Sequence, residues 1–315
     1  MTRSTLKRIL RRAATAACAS LLALGAFGVA PHGTASAQSG RQPKENKAGA
    51  QASPAPAPLV KRTTTRREVR RLGFGGSVTV YGAPEGSITV EAWSRPEVEI
   101  TAEIEQSADT EENLSHLAAL NAFLLDEDLN HVRVMTVGLH DRKYAKRAAR
   151  DLPKNLPSMP WKIDFHLKVP AMTDLEINAG RGALVVNGVE GALRISAGGG
   201  GASRLTLAGG DVEATVAKGP VTVRVPSRNW RGRGMNVRVA GGDLEVELAA
   251  GFSGDVDAEV LRTGRVENGF AGLAPREQSK PTERSLQARA GQGGAPLSFT
   301  VGDGTVRISQ ANGKR

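Results

Sequence analysis

From Leu72 onward the chain alternates apolar and polar residues in short runs. SVTVY (77–81), SITVE (87–91) and EVEITAEI (97–104) place a branched apolar side chain at every second position, the pattern of a strand with one buried face. Residues 109–125 break the alternation. There Leu114, Leu117, Ala118, Leu120 and Leu124 recur at helical spacing behind Asp109 or Thr110 as a cap, which predicts a short helix docked beside the strands. After a strand at 132–137 comes an excursion, 139–160, with Arg142, Lys143, Lys146, Arg147 and Arg150 on one helical face, Lys154 beyond them, and only Ala145, Ala148 and Ala149 opposite. That composition reads as a solvated connection, since the opposite face offers nothing to insert into a membrane.

Beyond Trp161 glycines punctuate the alternation at nearly fixed intervals: Gly182, Gly191, Gly201, Gly210 and Gly219 are spaced 9, 10, 9 and 9. Short strands lie between them, and two segments 32 residues apart, AGGDVEATV from Ala208 and AGGDLEVEL from Ala240, are near copies. Turn and strand at a fixed period predict stacked coils, with Gly191 and Gly210 expected at tight corners that need a positive φ. Two strands per coil of about 19 residues follow from the interval, with three per coil left open. The fold expected is all-β: a single-chain β-solenoid of short Gly-cornered strands over residues 171–315, behind an N-terminal β-rich cap with a short helix over 61–170. An immunoglobulin-like sandwich is the alternative, disfavoured by strands and connections this short.

WKIDFHLKVP (161–170) followed by DLEI (174–177), with SITVEAW (87–93) before and GGAPLSFTVGDGTVRI (293–308) at the end, resembles the bacterial putative-adhesin proteins of the DUF4097 type. The resemblance spans roughly residues 70–310 as many weak positions rather than one sharp motif. It implies an exported β-solenoid and brings no binding residues with it. The excursion at 139–160 and an insert at 226–234 depart from the family pattern.

Composition changes the picture at the N-terminus. Arg3, Lys7, Arg8, Arg11 and Arg12 precede an apolar run at 13–30, and Ala35-Ser36-Ala37 follows, which reads as a signal peptide over 1–37 cleaved before Gln38. Export to the periplasm, cell surface or exterior is expected, with no membrane-spanning segment after cleavage. The one cysteine, Cys18, lies inside the leader, so disulfides and thiolate sites are excluded from the exported chain. Residues 38–60, with Pro54, Pro56 and Pro58 alternating with alanine, read as a disordered Pro/Ala-rich linker. The chain's excess of ten basic residues is confined to residues 1–71; residues 72–315 carry 28 Lys and Arg against 30 Asp and Glu. A nucleic-acid partner is therefore not expected.

The search for chemistry is short. The five histidines lack metal-ligand spacing, Gly198 to Gly201 open no phosphate loop, and no nucleophile elbow is present. Neither a metal, a cofactor nor a catalytic residue is expected. Asp211, Glu213, Asp243, Glu245 and Glu247 are candidates for the paired carboxylates of a carbohydrate-active solenoid enzyme; the plainer reading makes them the polar half of the strand alternation. The insert PSRNWRGRG (226–234) gathers three arginines around an exposed-looking Trp. Arg228, Trp230, Arg231 and Arg233 are thus the candidate binding residues, suited to an anionic envelope component or an acidic surface protein. The function expected is a non-enzymatic structural or surface-interaction role at the cell envelope, with a solenoid enzyme or an envelope stress-sensing accessory as alternatives.

Overall fold

The computed structural model describes residues 58–148, 153–277 and 279–311. The expected leader and all but the last three residues of the expected linker lie outside these, as do Ala149 and Arg150 of the excursion.

The described chain is mostly strand. In order, the first part holds β1 (Val60–Arg71), β2 (Ser77–Tyr81), β3 (Ile88–Trp93), β4 (Glu97–Ala108), α1 (Glu111–Leu120), β5 (Ala122–Asp128), β6 (His131–Val137), α2 (Arg142–Ala148) and β7 (Trp161–Pro170). Then come β8 (Asp174–Ala179), β9 (Leu184–Asn187), β10 (Ala192–Ala197), β11 (Ser203–Thr206), β12 (Gly209–Val216), β13 (Val221–Val225), β14 (Arg231–Gly241) and β15 (Leu244–Leu248). The last part is β16 (Gly254–Thr263), β17 (Val266–Asn268), β18 (Leu273–Pro275), β19 (Ser285–Ala290), β20 (Pro296–Asp303) and β21 (Val306–Gln310).

These strands form two sheets, one ordered β1-β4-β7-β3-β9-β11-β13-β15-β21-β17 and the other β18-β19-β16-β20-β14-β12-β10-β8-β2-β6-β5. From β8 to β15 consecutive strands alternate between the sheets, and within each sheet they pair in parallel and in register. Leu193 sits beside Leu175 and Val212, and Leu205 beside Val186 and Val223, each 18 or 19 residues away along the chain. The next step, Val212 beside Met235, spans 23 residues because the 226–234 insert lies within it. The same parallel ladders continue below β8 and β9 into β2 and β3, and then into β6 and β7. No break in pairing falls at the expected 170/171 division.

Alternation of side chains produces the core directly. Inward positions of both sheets, such as Val78, Val90, Ile177, Val186, Ile195, Val223 and Val246, are at most 4 % exposed and join one hydrophobic cluster. Each fully buried aliphatic side chain contributes about 1.5–3 kcal/mol. Thr110 caps α1 by accepting the Asn113 N–H at 3.1 Å, and Leu114 and Leu117 are buried as the helical spacing predicts. Leu124 departs from that expectation: the helix stops at Leu120, and Leu124 faces outward from β5.

Two columns of glycine line the corners. At one corner Gly86, Gly182, Gly201, Gly219, Gly242, Gly304 and Gly264 stack in that order, and a Cβ on Gly242 would lie 2.3 Å from the Gly219 carbonyl oxygen. At the other corner Gly191, Gly210 and Gly232 stack; Gly210 takes φ +111°, whereas Gly191 lacks a positive φ and is required because its Cβ would meet the Thr173 carbonyl oxygen at 2.2 Å. The nine-residue interval is half a circuit, so successive glycines serve alternate corners.

The basic segment at 60–71 is a strand; of it only Val60 belongs to the expected linker. Six of its twelve residues are Lys or Arg. It pairs antiparallel along its whole length with β4, where Lys61 meets Glu105 and Arg67 meets Glu99. Arg66 lies 4.4 Å above the Phe123 ring and donates to the Phe123 carbonyl, covering the N-terminal end of the core. The cations thus belong to the folded unit and serve its edge, where charge also discourages pairing with other chains.

Asp164 ties β7 to the turn before β3: its Oδ1 accepts the Ser87 N–H and the Ser87 hydroxyl, each at 2.7 Å, while Lys162 meets Oδ2 at 2.9 Å. Burial pushes this carboxyl up, but the Ser87 and Lys162 hydrogen bonds outweigh it and hold it below its ordinary value. A depressed carboxylate stabilises the fold above its unfolded value near ~3.9, and that stabilisation disappears as pH falls through the lower folded value. Asp164→Ala is expected to cost about 1–3 kcal/mol at neutral pH. Urea unfolding at a series of pH values checks this: the gap between parent and variant should shrink below about pH 4.

Candidate interaction surface

The insert forms the passage from β13 into β14. Its backbone is tied down: the Arg231 N–H donates to the Ala208 carbonyl at 3.3 Å, the Ser253 N–H donates to the Arg228 carbonyl at 2.7 Å, and the Ser227 hydroxyl donates to the Asn229 carbonyl at 2.8 Å. Trp230 is not exposed as expected from its polar neighbours. It is 7 % accessible, packs into the main core, and donates its indole N–H to the Gly210 carbonyl at 3.0 Å. The physical reason is that the ring joins the apolar core while the Gly210 carbonyl satisfies the indole N–H. The ring is therefore unavailable for stacking on a ligand, and Trp230 is corrected from a binding to a packing residue.

The three arginines remain at the surface but differ. Arg231 pairs with Glu190 at 2.5 Å, Arg233 reaches Asp211 at 3.6 Å from a bulge in β14, and Arg228 has no carboxylate within 4 Å among the described residues. The structure keeps the three on one stretch, with Arg228 and Arg233 both exposed and Arg228 without an ion pair among the described residues.

The five candidate carboxylates do not gather. Asp211 and Glu213 lie on β12 in the eleven-stranded sheet and face Arg233 and Arg238; Glu245 and Glu247 lie on β15 in the other sheet, beside Arg307 and facing Arg224 respectively. Asp243 precedes β15 and accepts the Thr305 N–H at 2.9 Å. In a parallel ladder the same row recurs every ~4.8 Å, so like residues would repel and alternation of sign relieves the stack. Glu176, Arg194 and Glu213 form such a row. No group of three or more His, Cys, Asp or Glu placed to hold a metal occurs among the described residues.

A second feature lies on the same corner, nearer the N-terminal end. The loops entering β2, β4 and β8 converge on a cleft of about 280 Å³ lined by Leu72, Trp93, Pro96, Pro170 and Met172. At its rim Phe74, set in Gly73-Phe74-Gly75-Gly76, is 95 % exposed; Leu129, on the neighbouring turn into β6, is 99 % exposed, and Met172 52 %. Gly75 has φ +67°, a conformation that places the tip outward and suits glycine. Trp93 donates its indole N–H to the Glu97 carbonyl at 2.8 Å and carries the Arg95 guanidinium 5.2 Å from its ring centre. Period-two reasoning missed this patch because it lies in turns, although a phenylalanine between glycines, outside any alternating run, is the signal that marks it. A larger hollow of about 770 Å³ at the opposite end is polar, and its Arg276 and Arg289 are engaged by Asp257 and Asp255.

The insert's two residue classes give opposite expectations. Trp230→Ala is expected to lose about 3–5 kcal/mol of stability as a buried aromatic truncation, whereas Arg228→Ala should stay within about 0.5 kcal/mol of the parent. Chemical denaturation of both variants checks the assignment.

No protein-family model matches the chain, and no curated protein matches it in sequence. Among solved structures it is similar to a putative cell adhesion protein from Clostridium sporogenes, at 12% identity over 79% of this chain and 100% of that one, with a TM-score of 0.43. It is also similar to putative adhesins from Bacteroides fragilis (12% identity, 78% of this chain, 97% of that one, TM-score 0.29) and Parabacteroides distasonis (13%, 78%, 97%, TM-score 0.26).

Proposed function

We propose that this chain is an exported, non-enzymatic β-solenoid that serves as a surface-interaction module at the bacterial cell envelope. The observation that carries the reading is the division of its surface: the sheet faces are laced with paired charges, while one corner presents Phe74, Leu129 and Met172 to solvent together with the arginines of the insert. Exposed apolar residues gathered at one place mark contact surfaces. The alternation of strands between two sheets with parallel register supports the solenoid reading, and so does the residue-level resemblance to DUF4097-type putative adhesins. Export rests on the Arg-rich start, apolar run and Ala-Ser-Ala of residues 1–37. No helix among the described residues is long and apolar enough to cross a membrane. The solenoid-enzyme reading has less support, since the acids it would need are divided between the two sheets and a corner.

For the arginine insert the partner proposed is an anionic envelope component, glycan or acidic protein, met by guanidinium forks. Retention on anionic polysaccharide over a salt series tests it. The triple variant Arg228→Ala, Arg231→Ala, Arg233→Ala should elute at lower salt than the parent, with Arg228→Ala alone giving a larger shift than Arg231→Ala because Arg231 is already neutralised by Glu190. Equal elution of parent and triple variant, with unchanged folds, removes this partner.

A further inference from the structure

The cleft beside Phe74 contains both halves of a fit. Phe74 projects almost wholly into solvent from a four-residue turn, yet the cleft it borders is apolar, and its volume of about 280 Å³ is ample for a phenyl ring. Charge of both signs lies beside it. Arg95 lines the cleft, and Glu97, two residues on, begins β4 opposite Arg71 of β1; neither Arg95 nor Glu97 has an oppositely charged side chain within 4 Å among the described residues, where ion pairs are otherwise abundant. A patch that holds a knob, a hole, a cation and an anion is self-complementary, which is the requirement of a two-fold interface between identical chains. A foreign partner would need only the complement of one half.

We propose that this corner docks a second copy of the same chain, each Phe74 entering the other's cleft against Trp93, Pro96 and Met172, with Arg95 of each copy facing Glu97 of the other. The proposal rests on the reading of this corner as a contact surface and specifies its occupant. It does not involve the arginine insert, so loss of anion binding and loss of self-association are separate results. Phe74 acts as the aromatic anchor, buried only on association, and the crossed ion pairs set the relative orientation of the copies.

Sedimentation equilibrium of the purified protein over a range of concentrations tests it. The parent should show a reversible monomer–dimer equilibrium. Phe74→Asp should weaken dimerisation by about thirtyfold or more, the loss of a hot-spot anchor, with an unchanged circular dichroism spectrum, and Phe74→Leu should recover part of it. Arg95→Glu and Glu97→Arg should each weaken association, and the double charge swap should restore it. A parent that stays monomeric at every concentration, or a Phe74→Asp variant that dimerises as the parent does, overturns the proposal. So does a double swap no better than the single changes.

Discussion

The structure depends on how closely one circuit of backbone can lie on the next at its corners. Along the flat faces the parallel ladders set that spacing, and a Cβ on each residue is accommodated there. At the corners the chain turns sharply, and a carbonyl oxygen of one circuit occupies the volume where the Cβ of the next would be. In the column from Gly86 to Gly264 these would-be contacts range from 1.9 to 2.7 Å, and each involves backbone, which cannot swing aside as a side chain does. Glycine is therefore a condition for stacking, and only after it is met can Val, Leu and Ile close the narrow core between the sheets.

Other features follow from that stack. Rows of outward residues recur at every circuit, so like charges in one row would repel, and most of the acids that could have suggested catalysis face arginines or backbone instead: Asp211, Glu213 and Glu247 face arginines and Asp243 accepts a backbone N–H. The ladder must also end, and each end is treated differently. At the N-terminal end a long antiparallel pair, β1 with β4, closes one sheet, and Arg66 covers Phe123. At the C-terminal end the chain passes outward to β16 and β17 and then returns, so that β20 and β21 lie between earlier and later circuits. The final strands are held on both sides, and the outer edges are reduced to the three-residue strands β17 and β18, the latter ending in Pro275.

Much of the fold was legible because period-two alternation and glycine spacing report local and nearest-circuit geometry. The half-circuit interval, the helix at α1 and the inward residues all follow from such short-range rules. Three matters were not legible. The strand at 60–71 has almost no apolar alternation, since its partners are the acids of β4 and its job is at an edge. Trp230 sits among arginines, asparagine and glycines, and only the three-dimensional packing of its ring into the core, with the Gly210 carbonyl accepting its N–H, explains its burial. The Phe74 cleft is assembled from loops far apart in sequence, brought together because they share a corner, and nothing along the chain links Gly73 to Pro96 and Met172.

The claim that backbone contact at the corners governs the stack is tested most directly by two adjacent glycines. Gly242 has φ +134° and a carbonyl oxygen 2.3 Å from its would-be Cβ, whereas a Cβ on Gly241 would meet nothing within 4 Å. Denaturation midpoints of Gly242→Ala and Gly241→Ala separate sterics at the corner from a general effect of replacing glycine. Gly242→Ala should cost about 2 kcal/mol or more, and Gly241→Ala should change stability by less than about 1 kcal/mol in either direction. Equal midpoints for the two variants would contradict the account.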